Sequence, residues 1–166
     1  TTTDDDVAGF TIVESDGSTE VAESGTTDTF TIVLDAQPSS NVVVAMSSSD
    51  TGEATLSGTI TFTSANWDTP QTITVTGVDE NIIDGNQSST VTITIVDSIS
   101  DNDFSGVADQ TVSATTTDDD VAGYTIVESD GSTSVNESGT TDTFTVVLDA
   151  EPTSGVVFTI SYDDTG

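Results

Sequence analysis

The sequence has no Lys, Arg, His or Cys among its 166 residues. Each absence excludes a class of chemistry. Without Lys or Arg no phosphate can be neutralised, so DNA and RNA are excluded as partners, and attraction to anionic membrane surfaces is lost with them. Without His or Cys there is no zinc or thiolate site, no His-based triad, no Cys nucleophile, no haem or iron–sulfur ligation and no disulfide. Schiff-base chemistry and Lys–Asn cross-links fall with Lys. Long apolar runs are missing too. No stretch approaches about 18 apolar residues and no basic segment precedes one, so neither a membrane span nor a signal peptide is expected in this piece. The lack of Cys leaves the compartment to other features.

What is present is oxygen. Thirty Asp and Glu give a formal net charge of -30, surrounded by hydroxyls and carbonyls. These are hard ligands, and the cation that accepts many of them in flexible geometry is Ca²⁺. Hydrophobic residues make up 33%. Leu, Ile, Val and Phe alone account for about 24%, above the roughly 20% below which a highly charged chain is expected to stay disordered. The chain is therefore expected to fold, with counterions helping it do so.

The dominant feature is an internal repeat. The stretch TTTDDDVAGFTIVESDGST from Thr1 recurs as TTTDDDVAGYTIVESDGST from Thr115, and 40 of the 52 overlapping positions are identical. The substitutions Phe10 to Tyr124, Ile32 to Val146 and Gln37 to Glu151 keep apolar positions apolar and polar positions polar. Both copies are expected to share one fold. Gly166 falls in the middle of the second copy, where a sandwich would leave unpaired strand edges. The sequence is therefore expected to be a window on a longer tandem array.

Within the first copy the hydrophobic period is two. Thr29–Leu34, Thr59–Thr63, Thr72–Thr76 and Thr90–Ile95 alternate polar β-branched residues with apolar ones, and further strands are expected at Phe10–Glu14, Val42–Met46 and Gln110–Ala114. Turn signals separate them at Asp16-Gly17, Ser24-Gly25, Pro38-Ser39, Asp50-Thr51-Gly52, Asp68-Thr69-Pro70 and Asp84-Gly85. No segment carries an apolar helical stripe. Seven or so short strands separated by such turns predict an all-β fold, an antiparallel Ig-like β-sandwich. Its expected core is Phe10, Ile12, Phe30, Ile32, Leu34, Val42, Val44, Ile60, Phe62, Trp67, Ile73, Val75, Val91, Ile93 and Ile95. Trp67 fits a core anchor better than a sugar-stacking platform.

The segment from Phe62 through Trp67-Asp68-Thr69-Pro70-Gln71 to Gly77-Val78-Asp79-Glu80, followed by Asp84-Gly85 and closed by Asp118-Asp119-Asp120, resembles the Calx-β domain pattern. It is especially similar to the tandem Calx-β-like units of very large bacterial cell-surface and adhesin proteins. The resemblance covers the whole first copy and the start of the next. It implies residues 1–8 as the end of a preceding repeat, 9–120 as a complete sandwich and 121–166 as the first part of another. It further implies Ca²⁺ at the domain end, with Glu23, Asp50, Asp79, Glu80, Asp84, Asp118, Asp119 and Asp120 as ligands. In the second copy the counterparts are Glu137 and Asp164, with Asp163 as an extra candidate, and Asp4, Asp5 and Asp6 would close the preceding unit. The acidic loop is less acidic than in the richest family members.

The residues support a cation without the family. Neighbouring carboxylates near 4 Å repel by about 1 kcal/mol in water and about 4 kcal/mol at an effective dielectric of 20. A solvated linker is the simplest reading of an Asp run, but the triplet recurs at each unit junction beside a loop carrying Asp-Glu and Asp-Gly, which favours Ca²⁺. An EF-hand is excluded, because its Asp-x-Asp-x-Asp-Gly loop is absent. Three function classes follow. The favoured one is a structural Ca²⁺-binding repeat of an extracellular, cell-surface stalk, adhesin or filament, whose partners are neighbouring repeats and identical chains. The alternative is a glycan- or protein-binding adhesion module, which lacks an aromatic cluster. Catalysis is not expected, because the carboxylates belong to a repeated junction and no cleft-forming insertion is present.

Overall fold

The computed structural model describes residues 5–163, which form two compact units. The first runs through Glu80 and resumes at Gly85–Asp119. The second comprises Asn81–Asp84 and the stretch from Asp120 onward. Asp4 and Asp164 lie outside the described residues.

The first unit is a β-sandwich. Strands β1 (Phe10–Glu14), β3 (Thr27–Leu34), β7 (Gln71–Gly77) and β5 (Ala54–Leu56) form one four-stranded sheet in that order. Strands β2 (Thr19–Ala22), β9 (Gln110–Thr117), β8 (Gln87–Ile95), β4 (Val42–Ser48) and β6 (Ile60–Phe62) form the second, five-stranded sheet. Alternation explains the layers. In β7 the side chains of Ile73 and Val75 are buried while the intervening threonines are not, and β8 repeats the pattern with Val91, Ile93 and Ile95. Each strand thus offers one apolar face, and the two faces close on a single core.

Twelve of the fifteen expected core residues are buried, and Ile12, Ile60 and Trp67 pack against the core half-exposed. Six further residues join it: Val21, Ala36, Ala54, Phe104, Val112 and Ala114. Phe104 comes from a short 3₁₀ turn, Asn102–Phe104, whose N-cap is the buried Asp101. The Asp101 carboxylate accepts hydrogen bonds from Ser39 Oγ at 2.8 Å, the Ser40 backbone N–H at 2.6 Å and the Asp103 N–H at 3.0 Å. These donors, the Asp103 N–H foremost, hold its pKa down to about 2 by favouring the anion.

Two strands were not legible in the sequence. β2 and β5 have four and three residues, too short for alternation to register. One pairing also departs from the all-antiparallel expectation, since β2 runs parallel to β9, with Thr19 opposite Ala114 and Ala22 opposite Thr117. That pairing places the residue after β2, Glu23, beside the end of β9, where the Glu23 N–H donates to the Thr117 carbonyl at 3.2 Å.

The second unit has a two-stranded antiparallel sheet, β10 (Tyr124–Glu128) with β11 (Phe144–Leu148). Its register, Tyr124 opposite Leu148 and Glu128 opposite Phe144, reproduces that of β1 with β3. Ile82 forms an isolated parallel bridge with Glu151 in the same unit.

Candidate metal centre

Four chain segments of the first unit converge around Glu23. β2 ends there, β9 ends at Thr117 and leads into Asp118 and Asp119, and the turn before β5 contributes Glu53. The loop after β7 adds Glu80. One carboxylate oxygen from each of Glu23, Glu53 and Glu80 lies within 4.8 Å of the others, and an oxygen of Asp118 lies within the same distance of Glu23. Glu23 is 0% exposed and Glu53 7%. Neither Glu23 carboxylate oxygen has a hydrogen-bond partner.

The backbone builds this arrangement. The Glu53 carbonyl accepts the Val78 N–H at 2.9 Å and the Thr116 hydroxyl at 3.3 Å, which ties the turn to β7 and β9. The Gly85 N–H donates to Asp118 at 2.7 Å, so the end of the acidic loop is fastened to the first aspartate of the triplet. Gly85 has a φ of 74°. A side chain would be strained there, which is why the Asp-Gly signal marks the turn.

Electrostatics make Glu23 the odd member. Burial, reinforced by repulsion from Asp118, Glu53 and Glu80, pushes its carboxyl up to about 7; the opposing influence is the Asp119 backbone N–H, which does not reach hydrogen-bond geometry with either oxygen. A buried carboxylate is normally paired or hydrogen-bonded. This chain has no Lys, Arg or His with which to pair it.

The predicted ligands divide as follows. Glu80 and Asp118 each come within 4.8 Å of Glu23, in two separate groups that share it, and the Asp119 backbone lies toward Glu23. Asp50 is exposed and accepts the Gly52 N–H at 2.9 Å, an Asx turn that shapes the loop leading to Glu53. Asp79 is exposed on the loop after β7. Asp84 and Asp120 fall in the stretches belonging to the second unit. In that unit Glu137 and Asp163 are exposed, and Asp5 and Asp6 precede β1 in the first. Glu53 is the member sequence reading missed. The string Asp50-Thr51-Gly52-Glu53 reads as a turn, and the signal that could have found it is an acidic residue directly before the inward-facing Ala54.

The donor set is all oxygen, half-buried to buried and negatively charged. That matches the requirements of a hard divalent cation, and Glu23 supplies buried oxygens that no protein group satisfies.

No family model and no curated protein matches this sequence. Among solved structures, similarity is found to the apo-form Calx CBD1 domain, with 13% identity over 67% of this chain and 98% of that one and a TM-score of 0.47. The E. coli chaperone DraB is similar at 6% identity over 70% of this chain and 59% of its own, again with a TM-score of 0.47. Domains 4–9 of the surface layer protein SbsC show 25% identity over 71% of this chain, which spans 16% of that structure, at a TM-score of 0.41. Likenesses at these scores carry no functional reading, which stands on this chain's own residues. No helix among the described residues is long and apolar enough to cross a membrane.

Proposed function

We propose that the first unit is a Ca²⁺-binding structural repeat of an extracellular, cell-surface stalk or filament, with neighbouring repeats as its partners and no catalytic role. The observation that carries this reading is Glu23, fully buried among Glu53, Glu80 and Asp118 with both carboxylate oxygens lacking a hydrogen-bond partner. Glu23, Glu53 and Glu80 would hold the ion, with Asp118 as a further oxygen donor beside Glu23, and the ion would supply the positive charge the chain does not possess. Ca²⁺ suits them better than Mg²⁺, which demands near-octahedral geometry and gives up its water reluctantly.

The consequence is mechanical. Four stretches meet at the cluster, from the end of β2, from the turn before β5, from the loop after β7 and from the end of β9. A cation held by all of them locks the end of the sandwich where one repeat gives way to the next. An ion that binds only the folded state, at 100 times its dissociation constant, adds about 2.7 kcal/mol. Extracellular modules bind Ca²⁺ at about 10⁻⁴–10⁻³ M, so such a repeat fills outside a cell and stays largely empty in cytosol.

The test is thermal unfolding of the chain in EGTA, in CaCl₂ and in MgCl₂ at constant ionic strength. Ca²⁺ is expected to raise the midpoint well beyond Mg²⁺ or NaCl, and Glu23→Gln is expected to remove most of that difference. A midpoint indifferent to Ca²⁺ would leave the cluster without a metal-binding role.

A further inference from the structure

One strand of the first unit is paired on both sides along only part of its length. β4 runs from Val42 to Ser48, and β8 lines one side of it from Val44 to Ser48. On the other side β6 reaches Val42, Val43 and Val44 alone. Backbone groups of an antiparallel strand alternate between its two sides. The Val96 N–H donates to the Val43 carbonyl at 2.9 Å and the Ser49 N–H to the Thr90 carbonyl at 2.9 Å, so the odd-numbered residues of β4 face β8. The N–H and C=O groups of Met46 and Ser48 therefore point to the opposite side, past the end of β6, and no described residue bonds to them.

Two outer strands of the same unit are treated differently. In β6 the outward carbonyl of Thr61 accepts a hydrogen bond from Gln71 Nε2 at 3.1 Å, and in β1 that of Phe10 accepts one from Gln110 Nε2 at 2.6 Å. Folded sheets blunt their free edges in such ways, because unpaired strand groups invite pairing with another chain. Met46 and Ser48 have no such plug. Beside them lies a groove of about 260 Å³ lined by Met46, Ser47, Ser48, Thr51, Thr55 and Leu56. Its apolar part is Met46 and Leu56, both half-buried against the core. None of the six is charged, in a chain with 30 carboxylates.

We infer that the Ala45–Ser48 edge of β4 is a docking site for an extended segment of a partner protein that carries Lys or Arg. The segment adds antiparallel, in line with β6, and bonds to the free main-chain groups of Met46 and Ser48. In strand addition main-chain bonds give affinity and alternate side chains give specificity. Directly opposed residues share a face of the sheet, so the residue opposite Met46 turns toward the groove and is apolar. Its neighbours turn to solvent, and there Lys or Arg belongs. The net charge of -30 contains no cation, and Asp50 stands exposed two residues beyond Ser48, so a basic strand is attracted and an acidic one repelled. A second copy of this chain does not fit. It offers no Lys or Arg, and pairing two β4 edges about Met46 would bring the partner copy's strand opposite Val44, where Ile60 of β6 already sits. The site uses no residue of the Glu23 cluster and stands whether or not that cluster holds an ion.

The experiment is amide hydrogen exchange on the full chain in CaCl₂ at about 0.15 M NaCl, with and without the synthetic peptide Thr-Lys-Val-Lys-Ile-Lys-Thr. The expected result is at least about tenfold slower exchange at Met46 and Ser48, with β1 and β3 unchanged. The same peptide with Glu in place of Lys should do nothing. Methylating the Val and Ile nitrogens of the peptide keeps its charge but removes the donors that would meet β4, and it should abolish the slowing with the protein unaltered. Met46→Pro removes the outward N–H while sparing the β8 ladder, as Pro on a free edge can, and should abolish the slowing at Ser48. No slowing, equal slowing by the Glu or the methylated peptide, or slowing at Ser48 that survives Met46→Pro would overturn the inference. So would protection of these amides that grows with chain concentration and shuts out the peptide, since a second copy would then be the occupant.

Discussion

Glu23 and Asp101 are both buried carboxylates of the first unit, and their surroundings move them in opposite directions. Asp101 is stabilised as the anion by hydroxyl and backbone donors, whereas Glu23 faces other carboxylates. For Glu23 the folded value of about 7 lies above the ordinary 4.5, so the folded state holds its proton more tightly than the unfolded chain does. That contribution to metal-free stability is complete below about 4.5 and is lost as pH rises through about 7. For Asp101 the sign reverses, and its contribution is present above 3.8 and lost as pH falls through about 2. In EGTA the melting midpoint should therefore decline between pH 5 and pH 8, and Glu23→Gln should flatten that decline. A metal-free midpoint that rises over the same range would contradict the placement of Glu23. Asp101→Ala should lower the midpoint at neutral pH by releasing the Ser39, Ser40 and Asp103 donors together, with the wild-type gap closing toward pH 2. Neither environment was legible in the sequence. Glu23 entered the ligand set through its place in a family pattern, and Asp101, in an Asp-rich stretch, gave no sign of being a cap. Burial at a chain crossing is a three-dimensional property, and no local spacing encodes it.

At the level of elements, the repeat supplies its own control. Phe30 in β3 is 1% exposed, while its counterpart Phe144 in β11 is 41% exposed. Phe30→Ala should cost about 3–5 kcal/mol in the main unfolding transition, as truncation of a buried aromatic does. Phe144→Ala should change that transition by no more than about 0.5 kcal/mol. Equal effects, measured by denaturant melts of the two variants, would show that the second copy is packed like the first. β7 offers a second check. Its last residue, Gly77, passes so close to β2 that a Cβ there would overlap the Ala22 carbonyl oxygen, so Gly77→Ala should destabilise by about 1–3 kcal/mol through forced backbone shifts. The long strands were readable because Thr alternates with Val, Ile or Phe over five residues or more. β2 and β5 were not, since three or four residues cannot show a period. The parallel β2–β9 pairing escaped for a different reason: it joins residues nearly a hundred positions apart, and alternation specifies which face is buried without naming the neighbour.

For the molecule as a whole, identical sequence does not mean identical stability. β1–β3 and β10–β11 share register and most residues, but the first pair belongs to a sheet that closes on a second sheet, and the second pair is a two-stranded sheet. A two-stranded sheet alone is marginal in water, because it orders its backbone without burying enough apolar area to compensate. The amides linking β1 to β3 should open only with the whole sandwich, at a free energy of about 5–15 kcal/mol, whereas those linking β10 to β11 should open locally at close to zero. Hydrogen exchange on the full chain in CaCl₂ should therefore find the β10–β11 amides exchanging about a thousandfold or more faster than their β1–β3 counterparts. The comparison cancels the usual confounders, since intrinsic exchange rates depend on local sequence and the two hairpins are nearly the same sequence. Matched rates would mean that the second unit is closed as firmly as the first, and the exposure of Tyr124, Ile126, Phe144 and Val146 would not hold in solution. A wide gap would locate stability in the second sheet, the part of the repeat that turns an alternating hairpin into a domain.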